Sequence, residues 1–263
     1  MARSVVGLLS DFGTRDHYVG AMKGVILGIC PDVTLVDISH DVPTHDVVTA
    51  GLELAASYKY FPTGSIFLVV VDPGVGSARR GLAADTVDYR FVAPDNGVLT
   101  AVFQEAAPKV VVELTERRYA RPTVSKTFEG RDRFAPAAAW LGKGIQLSAL
   151  GRPVTNYLML DLALPETAKD RITGQVMRID HFGSLVSNID RKTFERLAQS
   201  GPIQIKVGKH AIGRLVETYA DIGEDEVCAL FGSTDHLEFA ANSTSAVERL
   251  GVDHETSVIV TRE

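Results

Sequence analysis

The stretch Ser65–Arg80, SIFLVVVDPGVGSARR, constrains the fold of this chain more than any other. Its first half is an unbroken apolar, largely β-branched run, which reads as a buried strand. Asp72 falls where that run stops, and Pro73, Gly74 and Gly76 impose a tight, irregular turn, because proline fixes φ and glycine permits positive φ. Arg79 and Arg80 follow at once. An acid at the carboxyl end of an apolar strand, with an arginine in reach, is where open α/β sheets place chemistry. Taken alone, the stretch reads equally well as a turn closed by a structural Asp–Arg pair.

The rest of the first half alternates strand and helix signals. Strands are expected at Val5–Leu9, Val33–Ile38, Arg90–Ala93 and Lys109–Leu114, and helices at Tyr18–Ile29, Asp46–Tyr58, Val98–Glu105 and Arg131–Leu141. Alternation of this kind predicts an α/β domain, a mostly parallel sheet with helices on both faces. The pattern then changes. Residues 156–171 carry little periodicity and read as a linker, and short alternating strands dominate beyond it, at Ile172–Ile179, Ile203–Val207, Val227–Leu230, Leu237–Ala240 and Ser257–Thr261. The expected organisation is an N-terminal α/β domain over 1–155, a linker over 156–171 and a small all-β barrel domain over 172–263.

Composition narrows the function classes. A formal net charge of -6 argues against a nucleic-acid surface. No apolar run reaches about 18 residues, so no membrane span is expected. Asp11 interrupts the first apolar run, so no cleavable signal is expected and the cytoplasm is the expected location. The two cysteines, Cys30 and Cys228, sit in apolar stretches and read as reduced core residues. The seven histidines show no ligand spacing, and His40 and His45, separated by Pro43, make a poor metal pair, so neither metal nor cofactor is expected. P-loop, dinucleotide and nucleophile-elbow motifs are missing from the sequence.

Asp11, in SDFG, also follows an apolar strand. A carboxylate there can accept two hydrogen bonds from a vicinal diol, the device that grips a ribose, or it can cap a turn. Together with the Asp72 turn, the stretches LLSDFGTRDHYVGAMKG, VAPDNGVLT, TFEGRDRFAPAAAWLGKG, IDHFGSLVSNID and FGSTDHLEFAANSTSA resemble, in order and over essentially the whole chain, the S-adenosylmethionine hydrolase (adenosine-forming) family, relatives of the fluorinase and chlorinase enzymes.

The resemblance implies hydrolysis of S-adenosyl-L-methionine to adenosine and L-methionine by attack of water on the ribose C5′ carbon. It implies Asp72, Arg79 and Glu129 as the catalytic set, Asp11 on the ribose hydroxyls, Asp16 and Phe128 at the substrate, and Asp180 on the α-ammonium. Ser184 stands in the adenine-reading position, Tyr219 packs on adenine, Ser233 meets the methionine carboxylate, and the Ala241, Asn242 and Ser243 segment reads the adenine edge. On its own, Tyr219 reads as a core or interface aromatic and Asp180 as a turn cap. The family also implies a homotrimer with sites between subunits. Three stretches depart from its pattern: Glu129 replaces a histidine, Ser184 an asparagine, and Asp235-His236-Leu237 the commoner Gly-Tyr-Leu. A halide-using adenosyl transferase and a non-catalytic adenosine or S-adenosylmethionine binding protein are the alternatives. Asp72 and Glu129 speak against the first, since two carboxylates repel a halide, and Glu129 motivates the second.

Overall fold

The computed structural model describes residues 3–199 and 201–262; residues 1, 2, 200 and 263, which include the outer ends of both expected domains, lie outside them. The chain divides into two units, Met1–Leu162 and Ala163–Glu263.

The first unit is built on one sheet. Its strands are β1 (Val5–Ser10), β2 (Thr34–Ser39), β3 (Ile66–Val70), β4 (Gly81–Asp85), β5 (Arg90–Pro94), β6 (Val110–Leu114) and β7 (Gly151–Pro153). They are ordered β2-β1-β3-β5-β4-β6-β7. The pairs along β2-β1-β3-β5 are parallel, and β4, β6 and β7 extend the sheet with antiparallel pairs. Helices α1 (Tyr18–Ile29), α2 (Val47–Ser57), α3 (Thr100–Glu105) and α4 (Ala135–Gly142) accompany it. Ile66, Leu68 and Val70 of β3 join the core that contains Met22 and Ile26 of α1 and Ala138 and Leu141 of α4. Phe67 and Val69, with Val71 just beyond, join the opposite core with Leu54 of α2 and Val102 of α3. Alternate side chains therefore feed two buried faces, which is why the sequence run is continuously apolar rather than alternating.

The second unit is an antiparallel, nearly closed barrel. It comprises β8 (Glu166–Thr167), β9 (Arg171–Ile179), β10 (Leu185–Asp190), β11 (Ile203–Val207), β12 (His210–Ile212), β13 (Val227–Phe231), β14 (His236–Ala241) and β15 (Ser257–Arg262). The order is β12-β11-β15-β9-β10-β14-β13, with β8 paired to β9. The segment after β12 closes the gap: Ala229 N–H donates to the Arg214 carbonyl (2.8 Å) and Val216 N–H to the Ala229 carbonyl (2.9 Å). Two short helices, α5 (Arg191–Ala198) and α6 (Ala246–Leu250), were not expected in this unit. Phe194 and Leu197 of α5 pack into the barrel core beside Ile189, Val207 and Val260.

Candidate active site

Ser10 at the end of β1 is in register with Val70 at the end of the parallel strand β3. Asp11 and Asp72 therefore leave the sheet at the same carboxyl edge, on neighbouring strands. Asp11 Oδ2 accepts the His45 N–H (2.9 Å). Asp16 is exposed in the loop before α1. Phe128 is 7% exposed, its ring edge-on to those of Phe12 (centroids 5.8 Å apart) and Tyr18 (5.1 Å). The Arg131 guanidinium lies 5.0 Å from its centre.

Arg79 stands between two acids. Its Nε donates to Asp72 Oδ1 (2.8 Å) and Nη2 to Asp72 Oδ2, a bidentate pair. The same Nη2 lies 2.6 Å from Glu129 Oε2. That oxygen is sealed from solvent, and no N–H points along the contact, so Oε2 makes an ion pair without an aligned hydrogen bond. Arg133 approaches the other Glu129 oxygen at 3.5 Å. All three side chains of the cluster are largely buried, at 6% (Asp72), 9% (Arg79) and 12% (Glu129) exposure. The Arg79 guanidinium also lies over the Phe134 ring, 5.1 Å from its centre.

Local backbone explains how these residues meet. The residues after Glu129, Gly130–Phe134, form a π-helical turn leading into α4; such insertions cluster at functional sites because they re-aim side chains. A Cβ on Gly130 would come 2.9 Å from Val70 Cγ1, so glycine lets this turn press onto the end of β3. Gly76, with φ +80, would likewise meet the Lys126 carbonyl at 2.6 Å, so the Asp72 turn and the segment before Glu129 pack backbone to backbone.

The second unit carries a cleft of about 980 Å³. Asp180, Ser184, Tyr219 and Ser233 line it, and so do Ala241, Asn242 and Ser243. Asp180 Oδ1 accepts the N–H groups of Phe182 (2.9 Å) and Ser184 (2.8 Å), so it caps the turn after β9 as well as bordering the cleft. Tyr219 is 45% exposed; burial, with the carboxylates of Glu238 and Asp180, pushes its phenol up from the ordinary value. Asn242 has its main chain engaged already, its N–H on the Glu226 carbonyl (3.2 Å) and its carbonyl on Asp225 N–H (3.1 Å). Ser243 sits at φ 63.

Glu238, in β14, is a buried acid of the cleft that sequence reasoning missed. It is 6% exposed, and its carboxylate occupies the space a side chain on Gly232 would need. Burial foremost, and then the Asp180 carboxylate, push Glu238 up, against the opposing effect of Arg178. The available signal was a lone acid at an alternating position of the apolar run LEFAA. Arg133 was missed too; it lies one helical turn after Glu129. Among the described residues, no group of three or more His, Cys, Asp and Glu side chains is placed to hold a metal ion.

Residues 6–151 match the SAM hydroxide adenosyltransferase N-terminal domain, and residues 174–259 match the corresponding C-terminal domain. The chain is 34% identical over 250 residues to a protein of Salinispora tropica named (R)-S-adenosyl-L-methionine hydrolase, covering 94% of each chain. It is 35% identical over 257 residues to the Thermus thermophilus protein of the same name, covering 94% of this chain and 95% of that one. A fluorinase of an Actinoplanes species is 26% identical over 290 residues, covering 98% and 97%. Among solved structures, an uncharacterized conserved protein from Thermotoga maritima is similar with a TM-score of 0.92 at 34% identity, covering 98% of this chain and 100% of that one.

Proposed function

Because this chain belongs to the SAM hydroxide adenosyltransferase family, we propose that the carboxyl edge of its parallel strands and the cleft of its barrel are the two halves of a site that hydrolyses S-adenosyl-L-methionine to adenosine and L-methionine. The observation that carries the catalytic half is the Arg79 guanidinium, bidentate on Asp72 and in contact with Glu129, at the end of β3.

The reaction asks little covalent chemistry of the protein. A water oxygen forms a bond to C5′, the C5′–S bond breaks, its electron pair returns to sulfur as a neutral thioether, and one water proton is released. What remains is positioning: the oxygen must sit about 3 Å from C5′, in line with the departing sulfur. Asp72 is the group that accepts a hydrogen bond from that water. Two of its lone-pair positions are taken by Arg79, so the carboxylate is held in one orientation and aims the water through those left. Glu129 adds a second anion. Carboxylate oxygens facing the nucleophile accept a hydrogen bond from water and repel a halide, with Arg79 and Arg133 balancing their charge.

Asp11 holds the ribose diol, with Asp16 and Phe128 beside the substrate. In the barrel cleft, Asp180 takes the α-ammonium, Ser233 the carboxylate, and Tyr219 stacks on adenine, a contact of ~1–3 kcal/mol; Ser184 and the segment Ala241, Asn242 and Ser243 meet the adenine edge. The assembly we propose is a homotrimer in which neighbouring subunits supply the two halves, working in the cytoplasm, where the buried free thiols of Cys30 and Cys228 stay reduced. No helix among the described residues is long and apolar enough to cross a membrane.

One incubation of the purified protein with S-adenosyl-L-methionine, with and without chloride or fluoride, tests the reading by chromatography of the nucleoside. Adenosine and methionine in equal amounts are expected. A 5′-halogenated nucleoside would replace the reading with halide transfer, and unchanged substrate with a binding function.

A further inference from the structure

Two polar groups of one buried residue converge on the Asp11 loop, and a third ties that residue to β2. His40, just past β2, is 5% exposed. Its Nδ1 lies 2.7 Å from Ser10 Oγ, and its Nε2 lies 3.0 Å from Asp37 Oδ1. Its carbonyl accepts the Gly13 N–H at 2.7 Å. Ser10 and Gly13 bracket Asp11 in the sequence, so His40 grips the loop on both sides of the acid. Gly13 takes φ +64, a left-handed turn that glycine permits, and this turn presents its N–H to His40. The same connecting segment reaches Asp11 again through the His45 N–H on Oδ2.

The Asp37 carboxylate only accepts, so His40 donates to it from Nε2, and Nδ1 shares its hydrogen bond with the Ser10 hydroxyl, which Phe12 N–H also approaches (3.4 Å). Asp37 in turn accepts from Lys23 Nζ at 2.6 Å. Burial raises the Asp37 carboxyl, but the hydrogen bonds from Lys23 and His40 outweigh it and hold it below the usual carboxylate range. A continuous chain Lys23–Asp37–His40–Ser10 thus runs from the surface to the floor of the site.

Its residue types are those of a serine-hydrolase relay, but Ser10 is fully buried and no substrate can reach its oxygen. A relay with a sealed hydroxyl can orient but cannot attack. We propose that His40 is a positioning residue for Asp11: by holding Ser10 and Gly13 it fixes the direction of the Asp11 carboxylate, and so the enzyme's preference for a substrate with an intact ribose diol. The inference rests on the reading of Asp11 as the diol-binding acid.

Calorimetric titration of the full chain with adenosine and with 2′-deoxyadenosine tests it. The parent should prefer adenosine ~10-fold, the scale of one hydrogen bond to a charged group. In His40→Gln and in Ser10→Ala, adenosine affinity should fall to that of 2′-deoxyadenosine, while 2′-deoxyadenosine binding stays within about twofold of the parent's. Ser10→Ala removes a single oxygen and keeps the test open should the histidine variant fold poorly. A preference retained in either folded variant, or equal loss for both nucleosides, overturns the proposal. A parent without preference refutes the diol reading of Asp11 itself, and the proposal falls with it.

Discussion

Arg79 serves two carboxylates with one guanidinium, and the division is unequal. Asp72 receives two directed hydrogen bonds, whereas Glu129 Oε2 has proximity alone. Replacing Asp72 with asparagine keeps its shape and removes its charge and one acceptor site; kcat should fall ~10²-fold or more, with KM changed far less, in steady-state assays of adenosine release. Glu129 is the opposite case. An ionised glutamate only accepts, while a histidine at this position can also donate a hydrogen bond and so fix a water's direction. Glu129→His should therefore raise kcat about tenfold, equivalent to ~1.4 kcal/mol of barrier. A slower histidine variant would mean that the glutamate itself is the better water-orienting group. Asp72 and Arg79 were legible because an acid, a glycine turn and an arginine follow one another in sequence. The contacts of His40 with Ser10 and Gly13 were not, because they depend on β2 lying beside β1, a pairing that no local pattern announces.

At the scale of elements, β14 buries an acid and α5 is capped by one, and the two respond to pH in opposite senses. Glu238 is raised above 4.5, chiefly by burial. An acid that binds its proton more tightly in the fold contributes its full stability below its unfolded value and loses it as pH rises above that value. As pH rises from about 4.5 through the raised folded value, the parent should therefore lose Tm relative to Glu238→Gln, whose side chain stays neutral; parallel curves would show that Glu238 is not the group responsible. Asp190 caps α5, its two oxygens accepting Thr193 N–H (2.8 Å) and Thr193 Oγ1 (2.7 Å). Burial raises its carboxyl, but the bonds from Thr193 prevail and lower it. Its stabilising effect is present above the unfolded value near 3.8 and is lost as pH falls through the folded one. Asp190→Ala should cost about 1 kcal/mol in urea unfolding at neutral pH, and the deficit should shrink in acid. The strands β1 and β3 were legible because two buried faces write continuous apolar runs. The strand β4, GLAAD, was not, since glycine, alanine and aspartate are poor strand formers and its place comes from antiparallel pairing with β5 and β6. The helix α5, RKTFERLA, sends only Phe194 and Leu197 into the core, too sparse a stripe to stand out between strands.

For the whole molecule, the decisive fact is that the residues of the proposed site are split between two units, each with its own buried core. Asp11, Asp72, Arg79 and Glu129 belong to the first, and Asp180, Ser184, Tyr219 and Ser233 to the second. As proposed, the roles are divided: the sheet edge has the acid assigned to the ribose and the Asp72–Arg79–Glu129 cluster, and the barrel cleft has the tyrosine assigned to the purine and the acid assigned to the α-ammonium. A substrate carrying adenine, ribose and an amino-acid tail needs both. In the proposed homotrimer each site takes one half from each of two neighbours by a heterologous contact that closes into a ring. That arrangement makes a prediction that a site drawn entirely from one chain does not. Subunits carrying Asp11→Ala and subunits carrying Tyr219→Ala should each form nearly inactive trimers. Co-expressed or refolded together, they should regain part of the parent activity, because some interfaces then join an intact sheet edge to an intact cleft. With random mixing, an interface receives its two intact halves from different parents about one time in four, so roughly a quarter of the parent rate is expected, carried entirely by mixed trimers. Differently tagged subunits allow those trimers to be purified before assay. Verified mixed trimers that stay as inactive as either parent would rule out shared sites and return the whole reaction to a single chain.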